Sequence, residues 1–378
     1  MPALVVGRDR ILGAMKRRLG VVQRGGKGEN LVLIGPRGNG KTVLCRELER
    51  EADHLGVRVV TLTGGEIEST DRLIDTLTQP GLLQKWGIAS VEGQLLGVGG
   101  GVKFARRRDG ALVDVLGGLA QGTGLVITVD EAHESRPDAV RALLNAAQIV
   151  SNAHPLLVTL AGTPALDRRL GEWSATFIER SIFERVGGIS RRDVERGLVE
   201  PLAQRRPPIQ MTGGALKEIV SDCAGYPYFL QKWGAEIEAL GAEVVGEAEL
   251  KTAKRAVMAS RTTYYGRRWQ EMMRAGVVGA AEALATHGLG ETELSLREVE
   301  TVLEAHVTAL GIGWDGVDCA RDILADMGFL WDEAGQGTAF RAGIPSLAKY
   351  LLAQRGSVGE AGLRNRLART IKQWREEH

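Results

Sequence analysis

Three common features are scarce in this sequence of 378 residues, and each scarcity excludes a class of protein. The three cysteines, Cys45, Cys223 and Cys319, are far apart and form no CxxC pair, so we expect packed thiols rather than a disulfide framework or a zinc site. Net charge is also close to zero, at +1 from 48 basic and 47 acidic residues. No overall field therefore draws the chain to nucleic acid or membrane, and such binding would need a local patch.

Long apolar runs are the third missing feature. No stretch approaches the ~20 apolar residues that a membrane-spanning helix needs, and the segment Met1–Arg8 lacks the long apolar core of a secretory signal. We therefore expect a cytoplasmic protein with no membrane partner. The hydrophobic content of 44% and the charged content of 25% are typical of soluble globular chains, and the length favours two or three domains.

Short apolar runs predict the fold class of the first half of the chain. Four of them are rich in β-branched residues and continuous rather than alternating, which is typical of strands buried on both faces of a parallel sheet. They are Leu31–Ile34, Val57–Leu62, Leu125–Val129 and Leu156–Ala161. Helical patterns such as Lys41–Leu55 and Pro137–Ser151 lie between them, so we predict an α/β domain over residues 1–188, with a hairpin inserted at 86–108.

The remainder of the chain predicts three further parts. Strand-type runs stop at Ser190, a predicted helix cap, and residues 189–260 are predicted to form a small helical lid. Residues 261–355 predict a connecting helix and then three helices followed by a glycine-turned hairpin, which is the pattern of a winged helix. A basic helix is predicted over residues 356–378.

The strongest chemical signal is a complete match to G-x-x-x-x-G-K-[ST]. Its residues are Gly35, Pro36, Arg37, Gly38, Asn39, Gly40, Lys41 and Thr42. The motif lies between a predicted strand and a predicted helix, where backbone N–H groups and the helix N-terminus face bound phosphates. We therefore predict that these residues, with Val43 after them, bind ATP or ADP, that Lys41 reaches the β- and γ-phosphates, and that Thr42 ligates Mg²⁺.

Two adjacent carboxylates, Asp130 and Glu131, end the predicted strand at Leu125–Val129. Both this strand and the phosphate loop end at the edge of the sheet where ligands bind, so we predict that Asp130 holds the Mg²⁺ shell and that Glu131 polarises the attacking water. An intact Glu131 argues for hydrolysis rather than binding alone. His133 is expected to be a polar loop residue rather than a switch.

Three more residues have two interpretations each. Thr163 follows the strand at Leu156–Ala161 and is predicted either to bond the γ-phosphate or to cap the next helix, with Pro164 at its first position. Arg180 and Arg185 are candidates for an arginine that stabilises the transferring phosphate, in the same subunit or in a neighbour, or for surface ion pairs. Action on a neighbour would imply a nucleotide-dependent homo-oligomer.

These motifs resemble the AAA+ class of P-loop ATPases. More narrowly, the chain resembles a prokaryotic branch with archaeal-type ATPases, origin-recognition-like initiators and STAND signalling NTPases. The resemblance rests on the Walker A and Walker B motifs, and on weaker matches at Val6-Gly7-Arg8-Asp9, Leu160–Pro164, Gly225-Tyr226-Pro227 and Gly343–Leu351.

The resemblance implies roles for several of these residues. It implies that Val6, Gly7 and Arg8 line an adenine pocket, that Thr163 is a sensor of the γ-phosphate, and that Pro227 packs near the base. It also implies that Gly343–Leu351 forms the end of a winged helix. No arginine begins the helix after Pro227, where initiator-type members often have a second sensor, and Lys232 is the nearest basic residue.

Charge argues against nucleic-acid binding by the predicted winged helix. Its third helix would carry Asp318, Asp322 and Asp326 against Arg321, and carboxylates repel the phosphates on which DNA affinity depends. A protein partner is therefore favoured there. Three basic clusters remain, at Arg106–Arg108, at Arg261–Arg268 and on the C-terminal helix. The C-terminal helix is the best of them for DNA, RNA or an acidic partner, with Arg364, Arg366, Arg369, Lys372 and Arg375.

The leading expectation is an ATP-binding and ATP-hydrolysing switch of the AAA+/STAND type, slow without its partner, in a regulatory, signalling or defence role. Nucleotide state would move the lid and the winged helix and so change partner binding. One alternative is a DNA-acting AAA+ ATPase of the initiator or transposition-regulator kind. Another is a nucleotide-stabilised scaffold with little turnover.

Overall fold

A computed structural model describes residues 4–79, 108–354 and 360–377 of the chain. The chain divides into two compact units. We call Asp9–Ile34 with Lys41–Glu184 the sheet unit, and Met1–Arg8 with Gly35–Gly40 and Arg185–His378 the helical unit. Among the described residues, no helix combines the length and the apolar content needed to cross a bilayer.

The described part of the sheet unit contains five strands in the order β2-β3-β4-β1-β5. The strands are β1 Asn30–Ile34, β2 Arg58–Thr63, β3 Leu125–Asp130, β4 Leu156–Gly162 and β5 Ser181–Arg185. The pairs β1–β4, β3–β4 and β2–β3 are parallel. The four strands predicted from apolar runs are confirmed to within a residue or two, and β4 is buried along its whole length.

The fifth strand was not among the predicted runs. It reads Ser-Ile-Phe-Glu-Arg, lies at the edge of the sheet beside β1, and only Glu184 of its residues is fully buried. A half-exposed edge strand does not need a continuous apolar run, so composition alone does not reveal it.

Helices of the sheet unit present spaced apolar residues to the strands. Leu44, Cys45, Leu48 and Ala52 are the apolar residues that the second helix buries, and this spacing defines one helical face. The helices are α1 Asp9–Gln23, α2 Lys41–His54, α3 Thr70–Leu77, α4 Arg108–Ala120, α5 Pro137–Val150, α6 Ala165–Trp173 and α7 Ala175–Glu179. The hairpin predicted at 86–108 lies outside the described residues, apart from Arg108, which begins α4.

The first helix of the helical unit is capped by Ser190, whose hydroxyl accepts a hydrogen bond from the Asp193 N–H. This predicted cap is therefore confirmed. Its first four helices are α8 Arg191–Ala203, α9 Gly213–Cys223, α10 Pro227–Ala239 and α11 Glu247–Arg274. The prediction that residues 189–260 contain only helices is wrong. The two-residue strands β6 Gln210–Met211 and β7 Val244–Val245 pair in parallel, and strands this short have no readable periodicity.

The C-terminal part of this unit has five helices and a small antiparallel sheet among its described residues. Its elements are α12 Val278–His287, β8 Leu294–Ser295, α13 Leu296–Ala309, α14 Asp315–Asp326, β9 Leu330–Trp331, β10 Ala339–Ala342, α15 Leu347–Gln354 and α16 Glu360–Glu377. The predicted hairpin is confirmed as β9 and β10, with β8 on the other side of β10. The helix α11 is continuous for 28 residues across residue 260, where we placed a boundary, and the division into four parts stays a prediction.

A single apolar cluster forms the core of the helical unit. Trp233, Tyr226 and Phe229 are its largest fully buried side chains. Asp222 accepts hydrogen bonds from Trp233 Nε1 (2.7 Å) and from both terminal nitrogens of the buried Arg261. Because an unpaired buried charge is costly, this arrangement ties α9, α10 and α11 together.

Candidate nucleotide site

Three loops leave neighbouring strands at the same edge of the sheet. The phosphate loop follows Ile34 at the end of β1, Asp130 ends β3, and Thr163 follows β4, which lies between them. In parallel sheets this carboxyl edge is where ligands bind. The order of the strands therefore gathers side chains that are more than 30 residues apart in sequence.

The Asp130 carboxylate is fixed by two hydrogen bonds within the sheet unit. Thr42 Oγ1 donates to Asp130 Oδ2 at 2.6 Å, and the Glu131 N–H donates to Asp130 Oδ1 at 2.9 Å. The structure thus brings together the two residues that we predicted as Mg²⁺ ligands. A hydroxyl and a carboxylate are hard oxygen donors, which is the ligand chemistry that Mg²⁺ prefers. Lys41, next to Thr42, is almost fully buried, and Val43 is half-buried.

Glu131 adopts a backbone conformation that is uncommon for a residue with a side chain. Its φ of 49° and ψ of 38° are left-handed, and its carbonyl oxygen lies so close to Gly64 that a Cβ there would come within 2.1 Å. Such strain is of the order of 1–3 kcal/mol and is found mostly at functional sites. Asp130 and Glu131 have different side-chain partners, because Asp130 accepts from Thr42 and Glu131 Oε2 lies 3.4 Å from His133 Nε2.

His133, which we expected to be a polar loop residue, is buried in the short turn Ala132–Glu134 after β3. Its Nε2 lies 3.4 Å from Glu131 Oε2, and its Nδ1 accepts a hydrogen bond from the Thr163 N–H at 3.4 Å. Thr163 itself is buried, and the following helix α6 has Pro164 at its cap position with no side-chain cap bond. The prediction that Thr163 caps this helix is therefore wrong, and its main chain instead contacts His133.

The phosphate loop belongs to the helical unit, up to Gly40. Gly38 and Gly40 have φ values of 83° and 93°, which side chains rarely tolerate. Within the described chain, the N–H groups of Gly38, Asn39 and Gly40 have no hydrogen-bond acceptor. Nothing lies within 4 Å of the place where a Cβ on Gly40 would stand. Three adjacent unpaired donors on a glycine-rich turn fit the binding of an anion.

Arg8 contacts the main chain of this loop and does so while buried. Its Nη2 donates to Asn39 O at 3.0 Å and to Gly187 O at 2.5 Å, and its Nη1 donates to Gly188 O at 3.4 Å. Burial lowers the pKa of Arg8 to about 10, and the charges of Glu333 and Asp193 partly offset this. An adenine-pocket role for Arg8 stays a prediction.

Tyr226 contacts the loop from another side. Its hydroxyl donates to Arg37 O at 2.5 Å and pairs with Tyr264 Oη at 2.8 Å. Pro227 begins α10, and the motif Gly225-Tyr226-Pro227 predicts a role for this proline but none for the tyrosine before it. Val6 and Gly7 directly precede Arg8 in the chain. Val6 is buried beside Gly197, and Gly7 lies beside Ile189. No sequence signal marks Tyr264, because its contact depends on how α11 packs.

The two candidate arginines lie at different places. The Arg180 carbonyl accepts a hydrogen bond from the Asn30 N–H at the beginning of β1. Ile34, the last residue of β1 before the phosphate loop, lies about 13 Å from Asn30 along the strand. Arg180 is exposed. Arg185 donates to Asp332 O at 3.0 Å and lies 5.5 Å from the centre of the Trp331 ring, so the β9–β10 hairpin engages its guanidinium.

A family model matches the first part of this chain. Residues 4–159 match the family described as AAA ATPase domain. The fold is of the α/β P-loop type seen in AAA+ ATPases, with the five-stranded sheet described above. No curated protein matches this chain.

Several solved structures are similar over nearly the whole chain. The ADP form of the ORC2 protein of Aeropyrum pernix has a TM-score of 0.52 at 15% identity, covering 99% of this chain and 95% of that one. Cdc6p of Pyrobaculum aerophilum has a TM-score of 0.47 at 14% identity, covering 98% and 96%. The RuvB Holliday junction branch migration motor of Thermotoga maritima has a TM-score of 0.46 at 13% identity, covering 92% and 95%. At these identities the similarity concerns the fold alone.

Proposed function

We propose that this protein binds ATP with Mg²⁺ and hydrolyses it to ADP and phosphate, with slow turnover when no partner is present. The observation that supports this most directly is the 2.6 Å contact between Thr42 Oγ1 and Asp130 Oδ2. It joins the two motifs that P-loop ATPases use for the metal. Mg²⁺ held there would neutralise charge on the phosphate oxygens.

The other side chains have separate roles in this proposal. Lys41 pairs with the phosphates, and Glu131 accepts a proton from the attacking water. His133 and Thr163 keep Glu131 and the end of β4 in register, which is consistent with their contacts of 3.4 Å. Thr163 would report on the γ-phosphate from this position.

The helical unit would carry the output of the switch. Its elements α12, β8, α13, α14, β9 and β10 follow the order of a winged helix, and Gly225-Tyr226-Pro227 is consistent with the STAND-like assignment. Pro36 of the phosphate loop packs against Gly328 and Gly343, where an added Cβ would meet it at 3.0 Å and 2.6 Å. A change at the loop would therefore reach the partner-binding surface of this module.

Arg180 supports a role between subunits in this proposal. Because it is exposed at the opposite end of β1 from the phosphate loop, it would act on a neighbour's nucleotide in a homo-oligomer. Native mass measurements with ADP and with a non-hydrolysable ATP analogue test this point. A monomer in both conditions would remove Arg180 from the mechanism.

Nucleotide binding itself is tested with Lys41→Ala. Losing a charged contact to phosphate should weaken ATP binding by roughly 10–100-fold. Calorimetric titration with ATP and Mg²⁺ measures this, with Lys349→Ala, a change at an exposed lysine of α15, as the control. Failure of the wild type to bind ATP would contradict the proposed function.

A nucleic-acid-acting ATPase is the second candidate, and one observation favours it. Of the basic residues of α16, Arg375 pairs with Asp315 and Arg366 donates to the Met273 carbonyl. Arg364, Arg369 and Lys372 are exposed and have no carboxylate partner among the described residues. These three would supply a local basic patch on a chain of nearly zero net charge.

A further inference from the structure

Two carbonyl groups of the phosphate loop are held by buried donors of the helical unit. Tyr226 donates its hydroxyl hydrogen to Arg37 O, and Arg8 donates from Nη2 to Asn39 O. Tyr226 is 1% exposed and Arg8 is 8% exposed, so water does not compete well for either carbonyl. The two accepting carbonyls, those of Arg37 and Asn39, are two residues apart in the loop.

These two hydrogen bonds fix the direction of two N–H groups in the loop. In a trans peptide the C=O and the N–H point in opposite directions. The carbonyl of Arg37 faces Tyr226, so the N–H of Gly38 points away from Tyr226, and the N–H of Gly40 likewise points away from Arg8. Neither N–H has an acceptor within the described chain.

We infer that Tyr226 and Arg8 are positioning residues that orient the Gly38 and Gly40 amides toward the phosphates of a bound nucleotide. This inference rests on the proposed nucleotide-binding function. Both residues would contact the side of the loop that faces away from the bound phosphates. A donor on the carbonyl also polarises its peptide and strengthens the N–H as a donor.

Two further observations agree with this assignment. The Tyr226 hydroxyl oxygen can accept a hydrogen bond from Tyr264, whose Oη lies 2.8 Å away, while Tyr226 donates its own hydrogen to Arg37 O. A Cβ on Gly38 would come within 2.2 Å of Tyr226 Oη. The tyrosine therefore packs directly on the glycine whose amide it orients. Burial raises the pKa of Tyr226 well above its ordinary value, so the hydroxyl keeps its proton.

Tyr226→Phe tests this inference by removing one hydroxyl from an unchanged ring. Binding of ADP and of inorganic pyrophosphate should each weaken by about two- to ten-fold, and by the same factor, because only phosphate contacts are affected. The melting temperature without nucleotide should match that of Tyr265→Phe, the matched control, whose hydroxyl pairs with Ser346. Arg8→Lys, which keeps the charge but not the forked geometry, should also weaken pyrophosphate binding.

The outcomes separate the inference from the function beneath it. Wild-type protein that binds ADP, together with a Tyr226→Phe variant that binds it equally tightly, would overturn the inference and leave the function standing. Weaker ADP binding with unchanged pyrophosphate binding would also overturn it, because the loss would then concern the base. A wild type that binds neither ligand would remove both proposals.

Discussion

Neighbouring acids at the end of β3 differ in backbone conformation. Asp130 is the last residue of the strand, whereas Glu131 turns into the left-handed region at φ 49°. This turn requires Gly64 opposite the Glu131 carbonyl, because a Cβ there would come within 2.1 Å of that oxygen. The Asp130 carboxylate accepts a hydrogen bond from Thr42, while the Glu131 carboxylate lies 3.4 Å from His133 Nε2. In the proposed function the first would hold Mg²⁺ and the second would act as the base.

We expect Glu131→Gln to lower ATP turnover by about 10²–10⁴-fold, because an amide cannot accept the proton of the attacking water. ATP binding should be retained, since Thr42 and Asp130 are unchanged. Phosphate release at saturating ATP measures the turnover, and calorimetry measures the binding. The control is Glu134→Gln, a half-exposed neighbour, and equal turnover in the wild type and Glu131→Gln would contradict the assignment.

Where two backbone segments of the helical unit come closest together, the residue at the contact is a glycine. Gly343 follows β10, and a Cβ on it would lie 2.0 Å from the Gly328 carbonyl and 2.6 Å from Pro36 Cγ. Only a residue without a side chain fits there. The same contact connects the C-terminal hairpin with the phosphate loop.

Gly343→Ala should lower the free energy of unfolding by about 1–3 kcal/mol, because the backbone must move to admit the methyl group. Denaturant unfolding followed by circular dichroism measures the change. The matched variant is Gly234→Ala on α10, where nothing lies within 4 Å of the added methyl and about 0.5–1 kcal/mol of stabilisation is expected. Equal stability of the two variants would argue against the close approach.

The packing of α13 on α12 includes a histidine that is sensitive to pH. His306 packs against Gly279, and burial lowers its pKa from the ordinary value of 6.5. As pH falls below 6.5, the unfolded chain takes up a proton before the folded chain does, so stability is full above this pH and is lost below it. The loss continues until the pH passes the pKa of the folded state.

His306→Gln should therefore reduce the drop in melting temperature between pH 7.5 and pH 5.5. Thermal unfolding of both proteins at the two pH values measures the difference. The other histidines are present in both proteins and serve as an internal control. An identical drop in the wild type and the variant would show that His306 does not supply this pH dependence.

At the scale of the whole molecule, charge is balanced in sum but not in distribution. Arg321 on α14 is surrounded by Asp318, Asp322 and Glu300, which leaves no basic surface on that helix. The exposed bases of α16 are not neutralised in this way. Any nucleic-acid binding should therefore depend on α16 and not on α14.

Replacing Arg364, Arg369 and Lys372 together with glutamine should abolish nucleic-acid binding or flatten its salt dependence by up to about 3 in the logarithmic slope. Fluorescence anisotropy with a DNA duplex and an RNA strand at several salt concentrations measures both. A control with Arg191→Gln and Arg192→Gln changes exposed bases on α8 instead. Absence of salt-dependent binding by the wild type at low salt would eliminate the second candidate function.

The sequence alone determined four strands of the sheet and the motifs that follow them. Continuous apolar runs specify strands buried on both faces, and the spacing of Gly35, Gly40 and Lys41 specifies a loop between strand and helix, because these are properties of short contiguous segments. The edge strand β5 and the two-residue strands escaped prediction, since their residues are held by neighbours rather than by their own periodicity.

Tertiary structure alone decided which side chains contact these motifs. Tyr226 is 189 residues from Arg37 in sequence, and His133 and Thr163 are 30 residues apart, so no local pattern announces either contact. Packing decided that Arg185 is engaged by a hairpin and that Arg180 lies at the far end of β1. A short motif is recognisable from adjacent residues, because its chemistry depends on them alone. The orientation of a peptide or of an arginine depends instead on what the rest of the chain packs against it.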